Sequence, residues 1–352
     1  MRRSHEKQRA IVLALLLQSE MNMKNLKIVL MGALVFCALG TSRLYSQTKT
    51  NPGTTLVHVV ITDMGLQGDR EVPRLTQDGV KVKQGKTSLQ VSQLIPAEGD
   101  NAALQLMILI DDTLNTSVGN NLNDIKEFIK AQPASTVVGV GYMSNAGVNM
   151  IQSFTADKEL AAKAVRLPRG AFSNMDSPYL SLISLVKGWQ PQKVRRVVLI
   201  VSDGIDRLRG ETPKPSQLGP SFGPVYHSMP AISPDATSAS EISQRYNVIV
   251  NSIYSPGVGI AGRSSWDLQL GLGGLSKIAE ETGGECYSLG TSAPVSFKPY
   301  LDRFQNNLNN QYYLVFNAQP GKKGSLQRVK IETSLPNSEI AAPNNVWVDA
   351  GK

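Results

Sequence analysis

From residue 104 onward the chain alternates short apolar runs with helical patterns, and no other feature constrains its fold as much. The run LQLMILI is followed by the helical pattern LNDIKEFIK at about 122–130, and STVVGVGYM by another in DKELAAKAV. After the Gly/Ser loop RGAFSNMDS come the helix PYLSLISLVKGW and the most apolar strand, RRVVLIVSDG. A helix around 236–246, the strand NVIVNSIYS and the helix GLSKIAEETGG, stopped by Gly283 and Gly284, complete the series. Strands apolar on both faces are buried on both faces, and strands alternating with helices form parallel sheets covered on each side. The expectation is a doubly wound, mainly parallel α/β domain with right-handed crossovers.

The flanks follow another pattern. TTLVHVVITDM and VKVKQGKTSLQVSQLI before the domain alternate like half-buried strands, as do YYLVFNA, LQRVKIETS and NNVWV after the helix YLDRFQNNLNNQ. The expected organisation is a leader at 1–46, a β-rich segment at 54–101, the α/β domain at 102–310 and a second β-rich segment at 311–352. The two flanks are expected to pair into one sandwich-like module. Residues 207–234, rich in Pro, Gly and Ser, read as one long loop at the end of RRVVLIVSDG, where irregular segments often bind.

The first 46 residues have the order of a secretory leader: Lys24 and Lys27, the apolar run IVLMGALVFCALG, then TSRLYSQ with cleavage expected after Ser46. At 13 residues the run is shorter than the ~20 that a membrane-crossing helix needs. No stable span is expected after cleavage, and the mature chain is expected in the periplasm or the extracellular medium. IVLALLL before this leader points to Met21 or Met23 as the start. The leader holds seven of the 36 Lys/Arg and two of the 28 Asp/Glu, so five of the eight net positive charges leave with it. The nearly neutral remainder, with dispersed basic residues, argues against nucleic acid as a partner. Cys37 goes too, so Cys286 has no intramolecular disulfide partner and reads as a small buried apolar side chain.

Two strand ends carry oxygen chemistry. LQLMILI stops on Asp111 and Asp112, with Thr113, Asn115, Thr116 and Ser117 close behind, and RRVVLIV stops on Ser202, Asp203 and Gly204. Open α/β sheets bind ligands at the carboxyl ends of their strands. A hard divalent cation takes about six oxygen ligands, among them one or two carboxylates and retained waters. These two ends, with the loop that holds Ser173, Asn174, Asp176 and Ser177, offer that chemistry without histidine or cysteine.

LMILIDDTLNTSVG, STVVGVGYM, RRVVLIVSDG and IAEETGG, in that order, resemble a von Willebrand factor A-type domain. With VVITDMGLQGDREVPRLTQDGVKVKQGK before them and QYYLVF after, the chain is similar to exported bacterial relatives over nearly all its mature length. The resemblance implies a Rossmann-like domain with a metal-ion-dependent adhesion site: Asp-x-Ser-x-Ser after the first strand, a Thr in a middle loop and an Asp after the fourth strand. It places Asp111, Thr113 and Asn115 on the first motif and Asp203 on the last position. Asn115 stands where the family has its second Ser, and Ser173 substitutes for the absent middle Thr, with Asp176 and Ser177 as alternatives. Asp112 is expected on the solvent side of the site or behind it. The implied cofactor is Mg²⁺, with Mn²⁺ or Ca²⁺ as alternatives, and the implied partner is a protein ligand offering a carboxylate. Cation-dependent adhesion is the implied function. The alternative is a degenerate, metal-free scaffold in an extracytoplasmic assembly, its polar residues only capping helices and strand ends.

Catalysis is not expected, because G-x-x-x-x-G-K-[ST] and H-E-x-x-H are absent from the sequence. LGLGGLSK departs from phosphate-loop spacing and reads as a loop-to-helix junction. Arg195 and Arg196 read as solvated charges flanking a strand, and Trp189, Trp266 and Trp347 as packing residues.

Overall fold

The computed structural model describes residues 53–65, 73–171, 173–208, 233–256 and 265–351. The expected leader, Trp266's side chain and all but the ends of the expected long loop lie outside the described residues. The N-terminal flank supplies β1 (Thr55–Gly65), β2 (Val80–Gln84), β3 (Thr87–Leu89) and β4 (Val91–Pro96). There follow β5 (Leu104–Asp111), α1 (Leu122–Lys130), β6 (Thr136–Ser144), β7 (Gly147–Thr155), α2 (Lys158–Lys163), α3 (Pro178–Gly188) and β8 (Arg195–Ser202). Next come α4 (Pro234–Arg245), β9 (Ile249–Tyr254), α5 (Ser265–Thr282), β10 (Cys286–Tyr287) and α6 (Lys298–Asn309). The chain closes with β11 (Gln311–Ala318), β12 (Ser325–Thr333), β13 (Ser338–Ala341) and β14 (Asn345–Val348).

The central sheet has the order β10-β9-β8-β5-β6-β7, parallel throughout except for the β6–β7 hairpin. All eight residues of β5 are buried, because successive side chains enter different layers. Leu106, Ile108 and Ile110 pack with Ile125, Phe128 and Ile129 of α1 and with Leu301 and Phe304 of α6. Met107 and Leu109 pack on the other face with Leu182 and Val186 of α3 and Leu275 and Ile278 of α5. Each such side chain contributes about 1.5–3 kcal/mol by its burial, and this two-sided burial is why the strand is apolar without alternation. Among the described residues no helix is long and apolar enough to cross a membrane.

Three features depart from the sequence reading. β7 interrupts the expected strand–helix series: Asn145 and Ala146 take positive φ (49° and 56°), a tight turn that folds β7 back along the sheet edge. Its Met150 and Ile151 are exposed, so it lacks the apolar run of a buried strand. The stretch LGLGG lies inside α5 rather than at a junction before it, and Gly271 and Gly274 serve close packing. A β-carbon on Gly274 would stand 2.0 Å from the Tyr179 hydroxyl. Finally, Arg195 and Arg196 are buried instead of solvated. Arg195 donates to the carbonyl oxygens of Ala102 (2.7 Å) and Leu308 (2.8 Å) and to Gln311 Oε1 (2.9 Å), while Arg196 donates to the Tyr246 carbonyl. Carbonyls gathered from distant parts of the chain replace water around Arg195 Nη1 and Nη2 and Arg196 Nη2, while Arg195 Nε and Arg196 Nη1 are buried without a hydrogen bond.

The flanks build two antiparallel sheets, ordered β13-β1-β11-β4 and β14-β12-β2-β3. Chain ends interleave in the first, where β1 pairs with β11 from Thr55 opposite Ala318 to Thr62 opposite Gln311. Val57, Val59 and Ile61 of β1 and Leu314 and Phe316 of β11 share one core with Val80 and Val82 of β2 and Val329 and Ile331 of β12. β11 leaves α6 directly, so Arg195, which holds Leu308 and Gln311 to Ala102, ties this layer to the start of β5.

Candidate functional site

Strand order reverses between β5 and β8: the chain runs outward from β5 to β6 and β7 on one side, then from β8 to β9 and β10 on the other. A crevice opens at the carboxyl ends of the strands at such a switch point. Asp111 ends β5 and Ser202 ends β8, so the polar residues of both strand ends meet there.

Asp111, Thr113, Ser202 and Asp203 are all buried. Asp111 Oδ1 accepts from Thr113 N (3.0 Å) and Thr113 Oγ1 (2.7 Å), a side-chain turn that redirects the chain as it leaves the strand. Its Oδ2 accepts from Ser202 Oγ (2.7 Å), which in turn accepts from Gly204 N (2.9 Å). Asp203 Oδ1 accepts from Ile205 N (3.0 Å) and Oδ2 from Arg207 Nη2 (2.9 Å). Gly204 holds φ at +69°, and its carbonyl accepts from the Tyr179 hydroxyl at 2.6 Å.

Burial, and then the neighbouring Asp203 carboxylate, push the Asp111 carboxyl up to about 6, against the pull of the Ser202 and Thr113 hydrogen bonds. Burial would lower the Arg207 guanidinium, but Asp203, Asp111 and Asp176 outweigh it and hold its pKa above the ordinary arginine value. Arg207 is the site residue that the sequence reading missed. Its signal was the opposite charge four residues from Asp203 in SDGIDR, an ordinary surface spacing unless both groups are buried.

Asp112 is neither on the solvent side nor loosely held. Its side chain is 4% exposed and takes both Arg166 Nη1 (2.7 Å to Oδ1) and Nη2 (2.9 Å to Oδ2), with Arg169 N adding a third bond at 2.9 Å. Burial alone would raise its pKa, but the Arg166 hydrogen bonds, the Arg169 backbone and the two positive charges hold it below the ordinary value. Arg166 also lies 3.8 Å over the Tyr142 ring.

The remaining expected ligands make local hydrogen bonds. Asn115 Oδ1 accepts from Ser117 N at 2.8 Å and caps the turn that leads to α1. Ser173 Oγ donates to Asn145 Oδ1 (2.9 Å) and accepts from Met175 N (3.1 Å). Asp176 accepts from Asn145 N (2.6 Å) and Ser173 N (2.5 Å), joining the β6–β7 turn to the loop before α3, and Ser177 caps α3. Of the five expected ligands, Asp111 and Thr113 are joined by a hydrogen bond, Asp203 lies close enough to raise the Asp111 carboxyl, and Asn115 and Ser173 bond to neighbours in their own loops. Among the described residues no group of three or more His, Cys, Asp or Glu has the geometry to hold a metal ion. Asp111, Thr113 and Asp203 bring two carboxylates and one hydroxyl, fewer than the roughly six oxygens that a divalent cation takes.

No family model and no curated protein matches the chain. Among solved structures it is similar to an aerotolerance-related membrane protein from Bacteroides fragilis NCTC 9343 carrying multiple mutations to serine. The identity is 12%, the match covers 59% of this chain and 99% of that one, and the TM-score is 0.39. It is also similar to a von Willebrand factor type A protein from Catenulispora acidiphila, at 10% identity, 88% and 76% coverage and a TM-score of 0.38. A third is the ArnB paralog VWA2 from Sulfolobus acidocaldarius, at 9% identity, 85% and 76% coverage and a TM-score of 0.35. With TM-scores this low, the fold assignment rests on the chain's own strand order and on the carboxylates at its switch point.

Proposed function

Starting from a central domain of the von Willebrand factor A type, we propose that the chain is an exported protein-binding module whose contact surface is the carboxyl edge of the central sheet. The observation that carries this reading is the meeting of Asp111, Thr113, Ser202 and Asp203 at the switch point. Beside this cluster, Leu167 (54% exposed) and Met175 (55% exposed) stand in solvent on loops anchored to Asp112 and Asp176. Exposed apolar side chains around a fixed polar centre suit recognition of another protein. Export rests on the order of charge and apolarity in the leader.

A competing reading adds a divalent cation, Mg²⁺ ahead of Mn²⁺ or Ca²⁺, held by Asp111, Thr113 and Asp203 and completed by a carboxylate from the partner. Its support is the repulsion between Asp111 and Asp203, which a further positive charge would relieve.

The binding surface is tested with photo-crosslinking side chains placed in the full chain at Leu167, Met175 and, on the opposite edge of the sheet, Ala134, in the cell envelope of the host. Adducts of discrete mass from the first two sites and none from the third are expected. Equal labelling at all three positions would remove the carboxyl edge as the contact surface.

A further inference from the structure

The carboxylates at the switch point already face a cation that the chain carries. Arg207 Nη2 lies 2.9 Å from Asp203 Oδ2, with the arginine side chain 11% exposed and the aspartate fully buried. The arginine backbone is fixed as well, because Arg207 N and Leu208 N both donate to the Asp176 carbonyl oxygen, at 2.9 and 3.1 Å. Asp176 is itself anchored through its carboxylate to Asn145 N and Ser173 N. The turn after β6, the loop before α3 and the loop after β8 thus combine to deliver one guanidinium to Asp203.

We propose that Arg207 is a tethered cation that takes the place at Asp203 otherwise open to a divalent ion, so that this edge is charged without a metal. The inference concerns how the edge is charged, and it stands whether or not a protein partner binds there. Three features of the site agree with it. A guanidinium is always protonated and offers donors in a fixed fork that matches a carboxylate, whereas a buried carboxylate without a positive neighbour is costly. Thr113 and Ser202 give their hydroxyl protons to Asp111. Asn115 Oδ1 and Ser173 Oγ already accept from the nearby backbone amides of Ser117 and Met175.

The test is titration of Mn²⁺ alone into the full chain, followed by the electron paramagnetic resonance of the free ion, for the native protein, Arg207→Lys, Arg207→Gln and Arg207→Gln with Asp203→Ala. The native protein and Arg207→Lys, which both keep a positive charge, are expected to show no saturable binding. Arg207→Gln is expected to gain saturable binding about tenfold or more tighter than the native protein, and the double variant to lose it. Saturable binding by the native protein that Arg207→Gln leaves unchanged or weakens would overturn the proposal. So would a folded Arg207→Gln that binds no Mn²⁺. If Arg207→Gln fails to give a cooperative thermal melt, Arg207→Met, which keeps most of the buried stem, is held to the same two outcomes. Because no partner protein enters the titration, its failure leaves the crosslinking test of the contact surface undecided.

Discussion

A β-carbon on Gly271 would stand 2.0 Å from the carbonyl oxygen of Asp203, so α5 touches the backbone of the site directly. The contact is mutual, since a β-carbon on Gly204 would lie 2.2 Å from the Gly271 carbonyl oxygen. Glycine within a helix costs about 1 kcal/mol relative to alanine, yet here no larger residue lets helix and loop approach. The two glycines fix how high the Asp203 loop rides above the sheet.

Gly271→Ala is therefore expected to destabilise the protein by about 1–3 kcal/mol or more in a urea melt. Gly188→Ala, at the end of α3 with nothing within 4 Å of the added carbon, is the matched control and is expected to change stability by less than about 1 kcal/mol. Equal shifts in the two variants would contradict the close approach.

Arg166→Gln removes the partner of a buried carboxylate and is expected to cost about 2–4 kcal/mol at neutral pH, discounted for the partial exposure of Arg166. Asp112 is held below its ordinary value of 3.8, so its pairing stabilises the fold above that pH and is lost as pH falls through the lower folded value. The gap between native and variant urea midpoints should narrow on acidification below about pH 4. A gap that stays constant would mean the loss came from packing over Tyr142 rather than from charge.

Asp111 titrates in the opposite sense. With its carboxyl raised from 3.8 to about 6, the native state takes up a proton that the unfolded chain does not yet hold. Its contribution therefore favours folding increasingly as pH falls from about 6 to about 4, by roughly 1–3 kcal/mol in all. Asp111→Asn should abolish that slope in urea midpoints measured across the window. An unchanged slope would show that the carboxylate is not strained by its burial.

The layered fold was legible because two-sided burial writes itself into single strands: all eight residues of β5 and all eight of β8 are buried, and both segments read as nearly unbroken apolar runs. β7 was hidden by its place at the sheet edge, which leaves Met150 and Ile151 facing solvent. The first turns of α5 were hidden by glycines that usually end helices, here kept for contact with Asp203 and Tyr179. Arg195 and Arg196 could not be read as buried, since the oxygens that receive them come from Ala102, Tyr246, Leu308 and Gln311. At the site, the positions of Asp111, Thr113 and Asp203 followed from strand ends alone. The local bonds of Asn115 and Ser173, and the contact of Arg207 with Asp203, depend on loop conformations set by Ser117, Asn145 and Asp176.

Anomalous diffraction from crystals grown with Mn²⁺ tests the central claim most directly, because it locates both the ion and the guanidinium. The account predicts no anomalous peak beside Asp111 and Asp203, with Arg207 in contact with Asp203. A peak between the two carboxylates, with the Arg207 side chain displaced from Asp203, would contradict it.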